Sequence, residues 1–328
     1  MNYRRLGKAG IQLSELSLGS WLTFGKQIED SVAEQLMAVA YDNGINFFDN
    51  AEIYARGQAE VVMGNIFKKM GWNRDTYVVS SKVFWGGELP NQTGLSRKHI
   101  AEACNASLKR LQVDYLDLYF CHRPDPNTPI EETVLAMNLL IQQGKILYWG
   151  TSEWSANEIM QAILIAKDYR LVPPSMEQPQ YNMFHRERFE HEYEPLFKEF
   201  GYGSTIWSPL ASGVLSGKYS NEIPTDTRLM INGLEWLREK SLTLERIEKT
   251  RDLATIAGDL GVTLPQLAIA WCLQNKYVST VILGASKVQQ LEDNLEALQV
   301  VSKITKEIRL EIEKILNNAP IDIEVGAE

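Results

Sequence analysis

Short runs rich in branched and aromatic residues alternate with helical-period segments from about residue 16 to residue 298, and this alternation constrains the fold more than any other feature. It is the pattern of β-α units whose strands lie side by side in a parallel sheet. Eight runs can be counted, at 16–18, 46–48, 77–80, 115–121, 146–150, 176–178, 204–206 and 279–283. The sixth is crowded by Pro173, Pro174 and Pro179, which weakens it as a strand. Between the runs, Val32/Leu36/Val39/Asn43, Ile100/Cys104/Leu108/Leu111 and Ile130/Val134/Met137/Ile141 each trace one face of a helix. Ser96 marks a helix start, and Ser155 with Glu158 forms a capping box. Eight units in one chain of 328 residues predict a closed α/β (β/α)8 TIM barrel, a single domain over residues 1–318 with a polar tail at 319–328. A doubly wound open sheet is the competing arrangement. Against it, no G-x-G-x-x-G follows the first run, where the turn is Gly19-Ser20-Trp21. The stretch from Gly213 to Lys218 has one residue too few between its glycines for a phosphate-binding P-loop. Residues 209–244 read as a long functional loop.

Composition narrows the function. A formal charge of −9 disfavours nucleic acid as a partner. Cys104, Cys121 and Cys272 fit neither a CxxC metal motif nor a disulfide framework and read as core thiols in a reducing compartment; no metal site is expected. The N-terminal stretch is broken by Gln12, Ser14, Glu15 and Ser17, and no apolar run approaches the roughly 20 residues of a membrane span. The expectation is a cytoplasmic protein that is not inserted in a membrane.

In a barrel, chemistry collects at the C-terminal ends of the strands. Asp49 closes the second run, Lys82 the third and His122 the fourth, while Ser152, Gln178, Trp207 and Gly284 hold the same place on the fifth to eighth. Each alone has an ordinary explanation, as a turn cap, a loop charge or a packed ring. Together with Tyr54 they would converge on one pocket, where the chemistry they suit is proton donation to a carbonyl oxygen. A phenol, with a reference pKa of about 10, is a poor acid, and the expectation is that a nearby Lys82 lowers that value. Asp49 would hold Lys82, and His122 would hydrogen-bond the oxygen as charge develops on it. The hydride has to come from a cofactor.

These residues resemble the aldo-keto reductases, NADPH-dependent (β/α)8 enzymes, across essentially the whole length. The stretch from Asn46 to Tyr54 is similar to the family's aspartate-tyrosine signature. The segments 21–27, 122–132, 148–152, 207–213 and 264–272 look like the branch of voltage-gated potassium channel beta subunits. The resemblance implies a catalytic tetrad of Asp49, Tyr54, Lys82 and His122, with Tyr54 as general acid. It implies that NADP(H) is held by Ser20, Trp21, Gln27, Asp49, Ser152, Gln178 and Trp207 around the nicotinamide. Ser208, Pro209, Leu210, Ala211, Ser212, Lys218 and Arg228 would embrace the pyrophosphate, and Gly284, Ser286, Gln290, Asp293 and Asn294 the adenosine end. Lys218, Arg228 and the helix start after Ser286 and Lys287 favour NADP over NAD. Glu153 stands where animal channel subunits carry arginine, so a cofactor contact from it is not expected. Residue 122 is histidine as in active reductases, where animal channel subunits have asparagine. The barrel's first strands are expected to begin almost at Met1, which leaves no room for a pore-blocking extension.

The implied function is reduction of small aldehydes or ketones. The alternative is a redox-sensing regulatory subunit of a membrane channel or transporter, and the branch resemblance implies a homotetramer. A third reading, with Lys82 as the Schiff base of an aldolase or isomerase, sits poorly with the tyrosine and the nucleotide-site pattern.

Overall fold

The computed structural model describes residues 1–219, 229, 233 and 235–320. Arg228 and the end of the expected polar tail, residues 321–328, lie outside the described residues. The chain opens with an antiparallel hairpin, β1 (Tyr3–Arg5) and β2 (Gln12–Ser14), in which Tyr3 faces Ser14. Eight parallel strands then close on themselves: β3 (Leu16–Gly19), β4 (Phe47–Asp49), β5 (Val78–Val83), β6 (Leu116–Cys121), β7 (Ile146–Thr151), β8 (Met176–Glu177), β9 (Gly203–Ile206) and β10 (Thr280–Leu283). Each pairs with the next, and β10 pairs with both β9 and β3. The fold is therefore the expected (β/α)8 barrel, and each of the eight sequence runs overlaps one strand, although β5 continues three residues past its run and takes in Lys82. The sixth is only two residues long, as the prolines around it require.

Helices alternate with the strands: α1 (Asp30–Asp42), α2 (Gln58–Met70), α3 (Arg97–Leu111), α4 (Ile130–Gln142), α5 (Ala156–Asp168), α6 (Glu194–Phe200), α7 (Glu235–Ser241), α8 (Leu244–Asp259), α9 (Leu264–Gln274), α10 (Val288–Leu295), α11 (Ala297–Val300) and α12 (Lys306–Leu316). Their starts are written in side-chain chemistry. Ser96 accepts from the His99 amide, and Ser155–Glu158 and Thr263–Gln266 close reciprocal capping boxes. The predicted apolar faces point inward with a small rotation. In α1, Leu36 is buried with Ala33, Met37 and Ala40, while Asn43 is exposed at the C-cap. The 209–244 segment is less of a loop than expected, because a 3-10 turn occupies Ala211–Ser216 and α7 lies within its described part.

Two packing layers follow from the period-2 alternation of each strand. Outward residues and the helices form the large shell. Inward residues Phe47, Val78, Leu118, Phe120, Met176 and Ile282 form a separate cluster inside the barrel, joined by Leu6 and Leu13 from the hairpin. The hairpin therefore plugs the end of the barrel where the strands begin. It is tied there by Arg4, which pairs with Glu15 at 2.7 Å and donates to the carbonyls of Leu273 and Val278 at 2.9 Å each. This corrects the expectation that barrel strands begin near Met1: the first barrel strand starts at Leu16, and the earlier apolar residues are spent on the plug. Among the described residues, no single helix is long and apolar enough to cross a membrane.

Gly150 lies on β7 against β8. A Cβ built there would sit 2.2 Å from the Met176 carbonyl oxygen and 2.9 Å from its side chain, so only glycine lets these strands pair at this point. We expect Gly150→Ala to cost about 2–3 kcal/mol through overpacking, read as a lower urea midpoint; an unchanged midpoint would show that the strands part without penalty.

Candidate active site

The same alternation that fills the barrel aims its next layer of residues into the mouth. Asp49 is two residues after Phe47, Lys82 two after Ser80, His122 two after Phe120, and Gln178 two after Met176. The parallel ladder continues one step beyond the strand ends, which fixes these backbones. The amides of His122, Ser152 and Gln178 donate to Val83, Cys121 and Thr151 carbonyls at 3.0, 2.9 and 2.8 Å.

Lys82 is the hub. Completely buried, its Nζ donates to Asp49 Oδ2 at 2.7 Å, to the Asn50 carbonyl at 2.7 Å and to Tyr54 Oη at 3.2 Å. All three ammonium donors are thus used. Asp49 Oδ1 accepts from Ser80 Oγ at 2.7 Å and Gln178 Nε2 at 3.1 Å, so the carboxylate is satisfied on both oxygens. Burial works against the lysine charge, but the pull of Asp49 and Tyr54 outweighs it and holds the ammonium pKa above its ordinary value.

Tyr54 reaches the site from a sharp turn after β4. The Glu52 amide donates to the Lys82 carbonyl at 3.3 Å, and Glu52 Oε1 accepts from the Phe84 amide at 2.7 Å. Immediately after Tyr54, Ala55 and Arg56 have φ of 49° and 54°, an uncommon backbone for side-chain-bearing residues that turns the chain into α2. Here the structure corrects the sequence expectation. The Tyr54 phenol is raised, not lowered: burial dominates, the attraction of Lys82 offsets only part of it, and Asp49 adds to the rise. His122 is driven the other way, well below its ordinary value, by burial and by repulsion from Lys82 and Arg123. Its imidazole is neutral, and its ring lies 5.9 Å from Tyr54 and 5.1 Å from Trp85, centroid to centroid. Its Nδ1 is buried without a hydrogen-bond partner.

Around this core the structure brings together most of the expected cofactor residues. Ser152 Oγ donates to the Gln178 carbonyl at 2.9 Å, and Gln178 Nε2 reaches both Asp49 and Thr205 Oγ1. Ser20 donates through its amide and hydroxyl to the Asp49 carbonyl, at 3.1 Å each. Trp207 lies edge-on to Trp21 at 6.5 Å and donates from Nε1 to Glu153 Oε1 at 3.2 Å. Glu153 also accepts from the Gln180 amide and pairs with Arg188 at 3.2 Å, so its role is to orient the indole. Beyond β9 the chain winds through Ser208, Pro209, Leu210, Ala211 and Ser212, with φ of 57°, 47° and 59° at Ser208, Ala211 and Ser212, into Gly213 at 94°. A Cβ at Gly213 would lie 3.2 Å from Lys218 Cε, so the lysine stem folds over this turn.

Gly284 and Ser286 follow β10, next in the barrel to β9, and Ser286 donates through amide and hydroxyl to Gln290 Oε1. Asn294 is buried on α10, and Asp293 accepts from Gln289 and Gln266. Among the described residues, no hydrogen bond or ion pair joins these α10 residues or the exposed Gln27 to the tetrad itself. Sequence reasoning missed Ser80, Asn50, Thr205 and Arg123. The first and third were legible, since each lies two residues before a selected strand-end residue on the same face.

The donor set suits a dinucleotide: amide-type contacts at Ser152 and Gln178, a fixed indole, and a left-handed turn with a lysine over it. Fold and site thus define a barrel oxidoreductase with a buried lysine–aspartate pair behind a tyrosine. A model of the Aldo/keto reductase family matches residues 15–317, and the chain belongs to that family.

Removing one member of the buried pair strands the other charge. We expect Lys82→Met to cost about 3–5 kcal/mol, and the double variant Asp49→Asn/Lys82→Met to recover much of it, measured by urea denaturation; a double variant no better than the single would refute the coupling.

His122 gives a pH signature. With its folded pKa below the ordinary 6.5, an unfolded chain binds a proton the folded one refuses; this group's contribution is complete above about 6.5 and is lost as pH falls below it. His122→Gln should show a shallower fall in urea midpoint between pH 7.5 and 5.5 than the parent, and parallel curves would contradict the neutral imidazole.

Proposed function

We propose that the protein reduces aldehydes or ketones to alcohols with NADPH, with Tyr54 as the proton donor. The observation that carries this reading is the single hydrogen-bonded chain Asp49–Lys82–Tyr54, with a neutral imidazole beside the phenol. When bound, the reduced nicotinamide supplies hydride to the carbonyl carbon.

The chain's own residues handle the oxygen. Held above its ordinary value, the Tyr54 phenol is fully protonated near neutrality, so the acid is loaded when the carbonyl arrives. An alkoxide is about as basic as hydroxide and far more basic than a phenolate, so a phenol is the natural donor to it. The Lys82 ammonium at 3.2 Å then stabilises the tyrosinate left behind. Asp49 keeps that ammonium charged and fixed. Neutral His122 can donate to the carbonyl oxygen from the side opposite its orphaned Nδ1, polarising it without adding a second cation next to Lys82.

Ser152 and Gln178 would hold the carboxamide end, Trp207 and Trp21 the ring, and Lys218 with the Ser208 to Gly213 turn the diphosphate. Lys287 at the N-cap of α10, beside the residues assigned to the adenosine end, supports NADP over NAD, since an added phosphate there would gain a cation. The regulatory reading, with a channel or transporter as partner, would use the same residues; the imidazole at position 122, poised to polarise a carbonyl, favours turnover.

Tyr54→Phe should lower kcat with a panel of aldehydes by about 10²–10⁴-fold while leaving NADPH titration nearly unmoved. Full turnover in the variant, or NADH binding as tightly as NADPH in the parent, would refute the acid or the phosphate preference respectively.

A further inference from the structure

Arg123 follows His122 at the end of β6 and has no place in the scheme above. Its half-buried side chain lies against the mouth: Nη1 donates to the His122 carbonyl at 2.5 Å and to Ser152 Oγ at 3.4 Å, and the guanidinium carbon is 5.4 Å from the Trp85 ring centroid. Trp85 in turn contacts the His122 ring. The charge also acts on both reacting groups, Tyr54 and His122.

Among the described residues, no carboxylate lies within ion-pair distance of Arg123, and neither its Nε nor its Nη2 makes a hydrogen bond. A guanidinium left in this state keeps N–H donors available to a ligand. Arg4, Arg74, Arg110, Arg186 and Arg188 are similarly shielded and pair with acids, whereas Arg246 and Arg309 meet a carbonyl and an amide oxygen; Arg123 differs from those two in lying at the mouth, beside His122 and Ser152. The carboxylates around the mouth are committed elsewhere. Glu52 serves the Phe84 amide and His99, Asp125 the amides of Leu95 and Asn127, and Glu153 the Gln180 amide and Trp207.

We propose that the open edge of the Arg123 guanidinium receives an anionic group of the substrate, a carboxylate or phosphate a few bonds from the carbonyl, so that the preferred substrates are short oxo acids or phosphorylated aldehydes. The planar fork matches either oxyanion in a two-bond geometry that a lysine cannot reproduce. The Trp85 ring beneath the guanidinium carbon and the contact with the His122 carbonyl hold the charge beside the reacting centre. The inference rests on the carbonyl-reduction reading and adds the substrate's charge to it.

The test compares matched pairs with the complete enzyme and NADPH: 4-oxobutanoate against butanal, and glyceraldehyde 3-phosphate against glyceraldehyde. A charged contact of this kind predicts that kcat/KM favours the anionic member of at least one pair by about tenfold or more, chiefly through KM. Arg123→Gln should collapse that ratio, and Arg123→Lys should restore part of it; the pair that responds identifies carboxylate or phosphate. Ratios near one in the parent, or a ratio that survives Arg123→Gln, would overturn the assignment. Calorimetric titration with 4-hydroxybutanoate and glycerol 3-phosphate separates the two readings. Binding that depends on Arg123 without turnover of any aldehyde sinks the reductase and leaves the anion site standing. Turnover of neutral and charged aldehydes alike does the reverse.

Discussion

The buried contact between Lys82 and Asp49 organises everything around it. Taking an ammonium and a carboxylate out of water is expensive, and the expense is offset only when both groups are fully hydrogen-bonded. Here they are: Asn50 and Tyr54 complete the lysine, Ser80 and Gln178 the aspartate. The partners come from β4, β5 and β8 and from the turn after β4, so one electrostatic requirement ties separated parts of the barrel mouth to a common geometry. A replacement by apolar residues could hold the barrel together as well. It would leave Tyr54 without the cation that makes its deprotonated form accessible.

The pair lies above a dry part of the barrel. The inward layer of Phe47, Val78, Leu118, Phe120, Met176 and Ile282, closed from below by Leu6 and Leu13, places an apolar floor under the polar mouth. Low polarity below strengthens each charge interaction above. The same burial explains the divergent shifts of Tyr54 and His122, which push the phenol up and the imidazole down so that both rings are neutral.

The architecture was legible because period-2 strands and period-3.6 helices repeat eight times, and Asp49, Lys82 and His122 were legible because strand-end positions in a barrel share one mouth. What escaped has physical reasons. The Tyr54 shift depends on the balance of burial against one ammonium, which no spacing encodes. The hairpin plug is two three-residue strands whose apolar residues look like an ordinary N-terminal extension until they are seen inside the barrel. Arg123 sits beside a recognised residue, yet its lack of a counter-ion is a statement about every carboxylate around it, and sequence order carries no such information.

Charge counting around the mouth shows why these details belong together. Asp49 cancels Lys82, His99 faces Glu52 and Arg188 faces Glu153, while Tyr54 and His122 are neutral. Asp125 spends its carboxylate on the Leu95 and Asn127 amides, and Arg123 has no acid at ion-pair distance among the described residues, on a molecule of net charge −9. Negative charge develops on the substrate oxygen during reduction, and a fixed positive field costs no reorganisation at that moment. Acidic surface elsewhere disfavours indiscriminate capture of polyanions. On the proposed reading, a small anion with a carbonyl at the right reach would gain from Arg123, because the carboxylates nearby are engaged by amides, His99 or Arg188, and selection by charge and length would then precede any chemistry.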